Sequence, residues 1–146
     1  MAEKKVLAHP NSLTTRDVNM MFFRWWLGCE TNHTFTRMQA LTVGWAFMPA
    51  LRKLYGDRHD ELKRALLRET MYFNTQGIWG VPCLGLALAM EEEVALEGEM
   101  DQDEADTAIN GVKTGFMGPF AGIGDTIDWA ILRYFFTGLA MGFIQE

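Results

Sequence analysis

The chain contains 146 residues, of which 49% are hydrophobic and 22% charged, and its formal net charge is −6. This length fits one domain, and the composition is too apolar for a disordered chain. The negative net charge argues against a nucleic-acid-binding protein, because contacts to phosphates require clustered lysine and arginine side chains.

Residues 1–13 are predicted to form a polar leader, and the first helix is predicted over residues 15–28. Thr14 or Thr15 suits the N-cap position, and Asp17 lies in the first turn, where a carboxylate is favoured. The helix is apolar on almost every side, which is typical of a segment at a membrane surface or in the groove of a partner. The same pattern also fits a buried helix in an ordinary bundle.

Apolar residues at helical spacing predict five more helices, and the sequence lacks the period-two alternation of strands. We therefore expect an all-α fold. Asp101 and Glu104 form a predicted capping box in front of the helix that begins near residue 103. The five helices are predicted over residues 35–54, 58–74, 78–97, 103–116 and 126–144.

A segment rich in glycine and proline, residues 117–125, separates the last two predicted helices. Its neighbours are aromatic and aliphatic, so we expect a buried loop and not a surface turn. Buried irregular backbone leaves N–H and C=O groups in need of partners, and broken helices in membrane proteins direct such groups at a ligand. Asp125 would either contact that ligand or serve as a plain N-cap. The residues predicted to let the backbone approach a ligand or a partner are Gly118, Pro119, Gly122 and Gly124.

Polar groups able to bind a sugar lie at both ends of the apolar stretch 77–90. Asn74, Thr75 and Gln76 precede this stretch, and Glu91 and Glu92 follow it. Amides, hydroxyls and carboxylates suit a sugar, because each sugar hydroxyl both donates and accepts hydrogen bonds. The same side chains also serve as helix caps and solvated charges, so both interpretations stay open.

Other kinds of chemistry have little support in the sequence. His9, His33 and His59 lie far apart, and Cys29 and Cys83 form no zinc motif, so we expect no metal site. Common phosphate-binding and nucleophile motifs are absent from the sequence, which predicts no catalytic residue and no cofactor.

The charges are divided unequally between the two halves of the chain. Residues 1–76 carry 11 basic and 7 acidic side chains, whereas residues 77–146 carry 2 basic and 12 acidic ones. Nine of these acids lie within residues 91–106, where we expect a solvated acidic face. A chain polarised in this way suits two different environments.

The apolar stretches of the sequence are short. Each spans 14 residues or fewer, below the roughly 20 residues that cross a bilayer, so hydropathy alone predicts a soluble protein. The 14 glycines and 5 tryptophans indicate the opposite, because small residues allow close helix contact in membranes and tryptophan prefers the interface. We therefore expect a membrane-associated helical subunit with broken or re-entrant helices.

Several motifs, in this order, resemble the IID subunit of mannose/fructose/sorbose-type permeases of the sugar phosphotransferase system. The resemblance covers about residues 13–140, and its last motif is the most specific. This sequence departs from the family at Gln76 and Gly77, where relatives often carry His and Pro. The motifs are TRMQAL at 36–41, MPALRKLYG at 48–56, FNTQ at 73–76, GLALAMEE at 85–92, INGVKTG at 109–115 and MGPFAGIGD at 117–125.

The resemblance implies a subunit of the bacterial cytoplasmic membrane that pairs with a IIC subunit to bind and translocate a hexose. Phosphoryl transfer would belong to separate IIA and IIB units, and this chain would not be an enzyme. It would contact membrane lipid, bind no nucleic acid and assemble as an oligomer of IIC–IID pairs. Its expected ligand-binding or gating contacts are Asn74, Thr75, Gln76, Glu91, Glu92 and Asp125.

Residues 14–146 are then expected to form a IID-like helical domain without the C-terminal membrane-spanning segment of its longer relatives. Two alternatives stay open. One is a truncated IID-like interaction module that does not transport. The other is a soluble helical enzyme that uses the carboxylates at positions 91 and 92.

Overall fold

The computed structural model describes residues 9–98 and 100–144, and every regular element within these ranges is helical. The all-α prediction is therefore confirmed. Most of the predicted polar leader, residues 1–8, lies outside the described residues. The elements are α1 Thr15–Gly28, α2 Ala40–Tyr55, α3 His59–Glu69, α4 Val81–Leu96, α5 Gln102–Gly124, a π-helical segment Asp125–Leu132 and α6 Arg133–Ile144.

The first helix lies where the sequence predicts it. Thr14 is the N-cap: its hydroxyl accepts a hydrogen bond from the N–H of Asp17, whose carboxylate accepts one from the N–H of Thr14 at 2.8 Å. The same carboxylate pairs with Lys53 of α2 at 2.6 Å, and this contact holds the pKa of Asp17 well below its usual value. The start of α1 is thereby fastened to α2.

Two helices each lack five residues at one predicted end, because irregular turns take the place of those residues. α2 begins at Ala40 and not at 35, since Thr34 and Met38 exchange two backbone hydrogen bonds in the turn before it. α3 ends at Glu69 and not near 74, and the chain then runs irregularly up to Val81.

The prediction of a buried loop over residues 117–125 is wrong. α5 continues through this segment to Gly124 with Pro119 inside it, and the π-helical segment follows directly. Pro119 has no N–H to donate to the Gly115 carbonyl one turn earlier, yet the helix continues past it. At the start of the π segment, the Thr126 hydroxyl donates to the Gly122 carbonyl at 2.7 Å. The interruption changes the hydrogen-bonding pattern but does not end the helix.

The apolar core joins α1, α2 and α4 to the irregular segment 70–80. Trp25 of α1 is fully buried, packs edge-on against Phe73 and donates from its indole nitrogen to the Gly77 carbonyl at 2.7 Å. A buried indole N–H requires such an acceptor. Trp25 therefore ties α1 to the segment that carries the predicted polar contacts.

Four charged side chains of the described residues are buried where α3 meets α4 and α5. Arg68 donates to the two carboxylate oxygens of Glu91 at 2.6 and 2.8 Å, and the Tyr55 hydroxyl donates to Glu91 at 2.8 Å. Lys113 of α5 donates to the Glu69 carboxylate at 3.0 Å. The charged side chains of both pairs are at most 2% exposed, so water screens them little. Together these pairs fix α3 against α4 and α5.

The C-terminal helical part is not covered by this core. α5, the π segment and α6 form one continuous helix of 43 residues, Gln102–Ile144, and its most apolar stretch is exposed in the isolated chain. By length and composition, it is the one helix among the described residues that could cross a membrane. Its large exposed apolar side chains beyond Asp128 are Trp129, Ile131, Leu132, Tyr134, Phe135, Phe136, Leu139, Met141, Phe143 and Ile144.

Removing one partner of the Arg68–Glu91 pair should destabilise the fold strongly. Arg68→Met leaves a buried carboxylate without its cation, a change that costs about 3–5 kcal/mol in comparable pairs. Denaturant unfolding in detergent micelles, followed by circular dichroism, measures the loss. Arg64→Met is the matched control on α3, because Arg64 pairs with Asp103 and Asp106 at the surface and should matter much less. Equal losses in the two variants would contradict this role for Arg68.

The buried carboxyl of Glu69 should make stability depend on pH near neutrality. Burial raises the pKa of Glu69 from its ordinary 4.5 to about 7, although Lys113 acts in the opposite direction. Because the folded state holds this proton more tightly, the stabilisation is complete below pH 4.5 and is lost as the pH rises through about 7. The free energy of unfolding should fall between about pH 5 and pH 8 in the wild type and change less in Glu69→Gln. If the free energy of unfolding changed with pH equally in the wild type and in Glu69→Gln, Glu69 would not be the group responsible.

Candidate functional site

The irregular segment 70–80 forms one wall of the candidate site. The Thr75 N–H donates to the side-chain carbonyl of Gln39 at 2.8 Å, and the Thr75 hydroxyl donates to the Met117 carbonyl of α5 at 3.2 Å. The amide nitrogen of Gln39 donates in turn to the Cys29 carbonyl at 3.2 Å. These bonds take the place of regular helix bonding and hold the segment against its neighbours.

Both polar atoms of the Gln76 side-chain amide form hydrogen bonds within the protein. Its Oε1 accepts from the N–H groups of Ile78 and Trp79 at 2.7 and 2.8 Å. Its Nε2 donates to Asp128 at 2.6 Å, and the Trp79 indole donates to the same carboxylate at 3.3 Å. Gln76 therefore links the irregular segment to the π segment.

A pocket of about 160 Å³ lies where this segment, the turn after α1 and the start of the π segment meet. Its walls carry two carboxylates, three amides, a hydroxyl, an imidazole and an indole ring. None of the described residues that line it is a lysine or an arginine. The lining residues are Glu30, His33, Gln39, Asn74, Thr75, Gln76, Ala121, Asp125 and Trp129.

The structure brings together four of the six predicted contact residues. Asn74, Thr75 and Gln76 line the pocket with Asp125, which comes from a distant part of the chain. Asp125 is exposed, and it is not an N-cap, because the helix continues from α5 through this position into the π segment. Its carboxylate is therefore not committed to a helix start.

The structure places Glu91 and Glu92 away from the pocket. Both oxygens of Glu91 are engaged by Arg68 and Tyr55 in the core, so a structural ion pair takes the place of the expected sugar contact. The Glu92 carboxylate accepts from the N–H of Leu13, just ahead of α1, at 2.7 Å. The two carboxylates thus join helices instead of facing a ligand.

Among the four predicted backbone-approach residues, Gly124 packs closely within this chain. A Cβ on Gly124 would lie 2.6 Å from Cβ of Gln76, closer than such atoms pack. Gly118 and Gly122 have open space at the same position, and they and Pro119 are exposed. The predicted burial of these three residues is wrong for the isolated chain, because none of the described elements covers this outer face of α5.

Five lining residues were not among the predicted contacts: Glu30, His33, Gln39, Ala121 and Trp129. The first two lie in the polar turn that follows the aromatic helix α1, and that turn was the available signal. Trp129 lies about one helical turn after Asp125, so one face of the helix carries both. Gln39 gave no such signal, because its partners are distant in sequence.

The turn after α1 is fixed by backbone contacts. Nε2 of His33 lies 2.6 Å from the Cys29 carbonyl, which can only accept, so Nε2 carries the proton. In the neutral ring, Nδ1 is then an acceptor.

Burial raises the pKa of the Cys29 thiol, so it stays protonated and is not an activated nucleophile. In the part of the chain that the structure describes, no three His, Cys, Asp or Glu side chains are grouped as a metal site.

The sequence matches a known family over nearly its whole length. The profile of the PTS system mannose/fructose/sorbose family IID component matches residues 12–146. The PTS system mannose-specific EIID component of Escherichia coli strain K12 is 42% identical over 130 residues, which are 89% of this chain and 44% of that protein. The fructose permease IID component of Bacillus subtilis strain 168 is 38% identical over 123 residues, 83% of this chain and 42% of that protein. The chain spans less than half the length of these curated relatives.

The fold is also similar to solved structures. The cryo-EM structure of the mannose transporter ManYZ in complex with microcin E492 contains a similar chain, with a TM-score of 0.82 and 40% identity. The match covers 92% of this chain and 47% of that one. A second solved structure, of a membrane protein, gives a TM-score of 0.80 at 39% identity over 92% of this chain and 48% of that one.

Gly124→Ala should loosen the candidate site, because the added methyl group overlaps Gln76. Overpacking of this kind costs roughly 1–3 kcal/mol, and we expect faster amide exchange across residues 74–80. Gly122→Ala is the matched control on the same helix, because that position is open and alanine favours the helix by up to about 1 kcal/mol. Hydrogen–deuterium exchange with mass spectrometry compares the two variants. Equal protection of 74–80 would show that the close approach is not required.

Proposed function

The chain belongs to the mannose/fructose/sorbose family of PTS IID components, and we therefore propose that it is a membrane subunit of a sugar permease. It pairs with a IIC subunit, and together they bind a hexose and carry it across the bacterial cytoplasmic membrane. Separate IIA and IIB units carry out phosphoryl transfer, so this chain is a transport subunit and not an enzyme. Relatives named as mannose- and fructose-specific components support a substrate of this class.

The polar pocket is the observation that carries the proposal. Asn74 offers both an amide donor and an acceptor, and the carboxylates of Glu30 and Asp125 accept from hydroxyls. Trp129 adds an aromatic face, which suits the apolar side of a sugar ring. A ligand with several hydroxyl groups on a ring satisfies this set of groups better than an apolar ligand would.

The predicted contact residues divide into three groups in this proposal. Asn74 and Asp125 touch the sugar, and the backbone-bonded Thr75 and Gln76 shape the wall behind them. Glu91 and Glu92 act indirectly, since they hold α4 to α3 and to the chain before α1.

The membrane-facing part of the protein is the end of the long helix. Arg133 stacks over the Trp129 ring at 5.4 Å, a cation–aromatic contact that suits the edge of a bilayer. The residues beyond Arg133 are almost entirely apolar and exposed, which supports contact with lipid or with an apolar partner.

The outer face of α5 is suited to the IIC partner. Gly118 and Gly122 lie four residues apart with open space around them, and this spacing allows another apolar helix to pack closely. The similar solved chain comes from the mannose transporter ManYZ, which supports a IIC partner for this chain. We extend the proposal to an oligomer built from IIC–IID pairs.

Sugar uptake tests the pocket directly. The full-length protein, co-expressed with its IIC, IIA and IIB units in a strain that lacks its own mannose permease, should take up labelled mannose or fructose. Asn74→Ala and Asp125→Asn should each raise the apparent KM by about tenfold, the effect of losing one good hydrogen bond. Asn19→Ala and Glu93→Gln are matched controls, because both residues are exposed on helices outside the pocket.

Three outcomes would change the proposal. Normal uptake by both pocket variants would remove the sugar contacts assigned to them. Binding to IIC without any uptake by the wild type would favour an interaction module. Extraction as a monomer without detergent would favour a soluble protein instead.

A further inference from the structure

We infer that the pocket selects uncharged sugars and rejects anionic ones, and that Glu30 and Asp125 impose this selection. The inference rests on the proposed function and adds a charge rule to it. It follows from the charges that line the pocket and from the hydrogen bonds that already occupy the nearby backbone.

Negative charge outweighs positive charge around the pocket. Glu30 and Asp125 line it, and a third carboxylate, Asp128, is held against the lining residue Gln76. The described lining residues include no lysine or arginine. The Arg133 guanidinium stacks over the ring of the lining residue Trp129 and adds one positive charge beside the pocket. His33 adds at most one more when protonated, so the three carboxylates leave a net negative charge in both of its protonation states.

Backbone groups that commonly bind anions are already occupied beside the pocket. Phosphates often bind to free N–H groups at the start of a helix. Here the N–H groups of Ile78 and Trp79 are bonded to the Gln76 side chain, and the N–H of Gly80 is bonded to the Gln76 carbonyl at 2.9 Å. These three N–H groups, just before α4, are therefore not free to bind an anion.

The same carboxylates attract the hydroxyl groups of neutral sugars and repel anionic groups on charged sugars. A sugar hydroxyl donates to a carboxylate in a strong, charge-assisted hydrogen bond. A phosphate or carboxylate group on the sugar brings like charge into a small space, where water screens it less than in bulk. A sugar that gains a phosphate while the complex holds it is therefore bound more weakly, which favours its release.

The test measures binding to the detergent-solubilised complex of the full-length protein with its IIC subunit. Mannose, mannuronate and mannose 6-phosphate form a series of increasing negative charge, and isothermal titration calorimetry gives each affinity. We expect affinity to fall in that order, with the phosphate ester at least about tenfold weaker than mannose. Added salt should narrow this difference, because its cause is electrostatic.

Glu30→Gln tests the assigned cause, because it removes one charge and keeps the size of the side chain. The ratio of mannose to mannose 6-phosphate affinity should fall several-fold in this variant. Glu93→Gln removes an exposed carboxylate outside the pocket and should leave the ratio unchanged. Circular dichroism checks that both variants fold. Equal affinities in the wild type, or a ratio that Glu30→Gln does not move, would overturn the inference.

Failure of the charge rule can be told apart from failure of the proposed function. If Asn74→Ala and Asp125→Asn leave mannose binding unchanged, the pocket is not the sugar site and both proposals fall. If these variants weaken mannose binding while Glu30→Gln leaves the ratio unchanged, the sugar site stands and the charge rule alone is rejected.

Discussion

Two adjacent charged residues at the end of α3, Arg68 and Glu69, hold the rest of the structure in place. Arg68 reaches Glu91 of α4, and Glu69 reaches Lys113 of α5, both in the core. A shift of α3 along either helix would leave a buried charge without its partner, which costs several kcal/mol. The irregular segment 70–80 begins directly after these two residues. Its place beside the candidate site therefore follows from where the two ion pairs hold α3.

Part of the unequal charge of the two halves is explained by how they pack. Basic α3 lies against acidic parts of the later chain: Arg64 pairs with Asp103 and Asp106, and Arg68 with Glu91 and Asp106. Part of the acidic run that the sequence suggests as a solvated face is therefore internal.

Signals from neighbouring residues predict more of this structure than the contacts between residues far apart in the sequence. Thr14 and Asp101 mark helix starts that the structure confirms, because a cap depends on neighbouring residues alone. The burial of Glu91 was not predictable, because its partner Arg68 is brought near by the packing of separate helices. The glycines and proline of residues 117–125 suit both a chain break and an apolar helix, and their surroundings decide between them. Family resemblance identified the subunit correctly, but it did not supply the pocket's Glu30 or Trp129.

The π segment has a mechanical consequence for the helix that follows it. Its hydrogen bonds span five residues instead of four, so Asp125–Leu132 stores one surplus residue relative to an α-helix. If the segment returned to α-helical hydrogen bonding, the helix beyond it would rotate by about 100° and shift along its axis by about 1.5 Å. The exposed aromatic side chains of α6 would then face a new direction, and Gln76 and Asp128 would move apart. The π segment thus joins the wall of the pocket, through Gln76 and Asp128, to the apolar end of the helix.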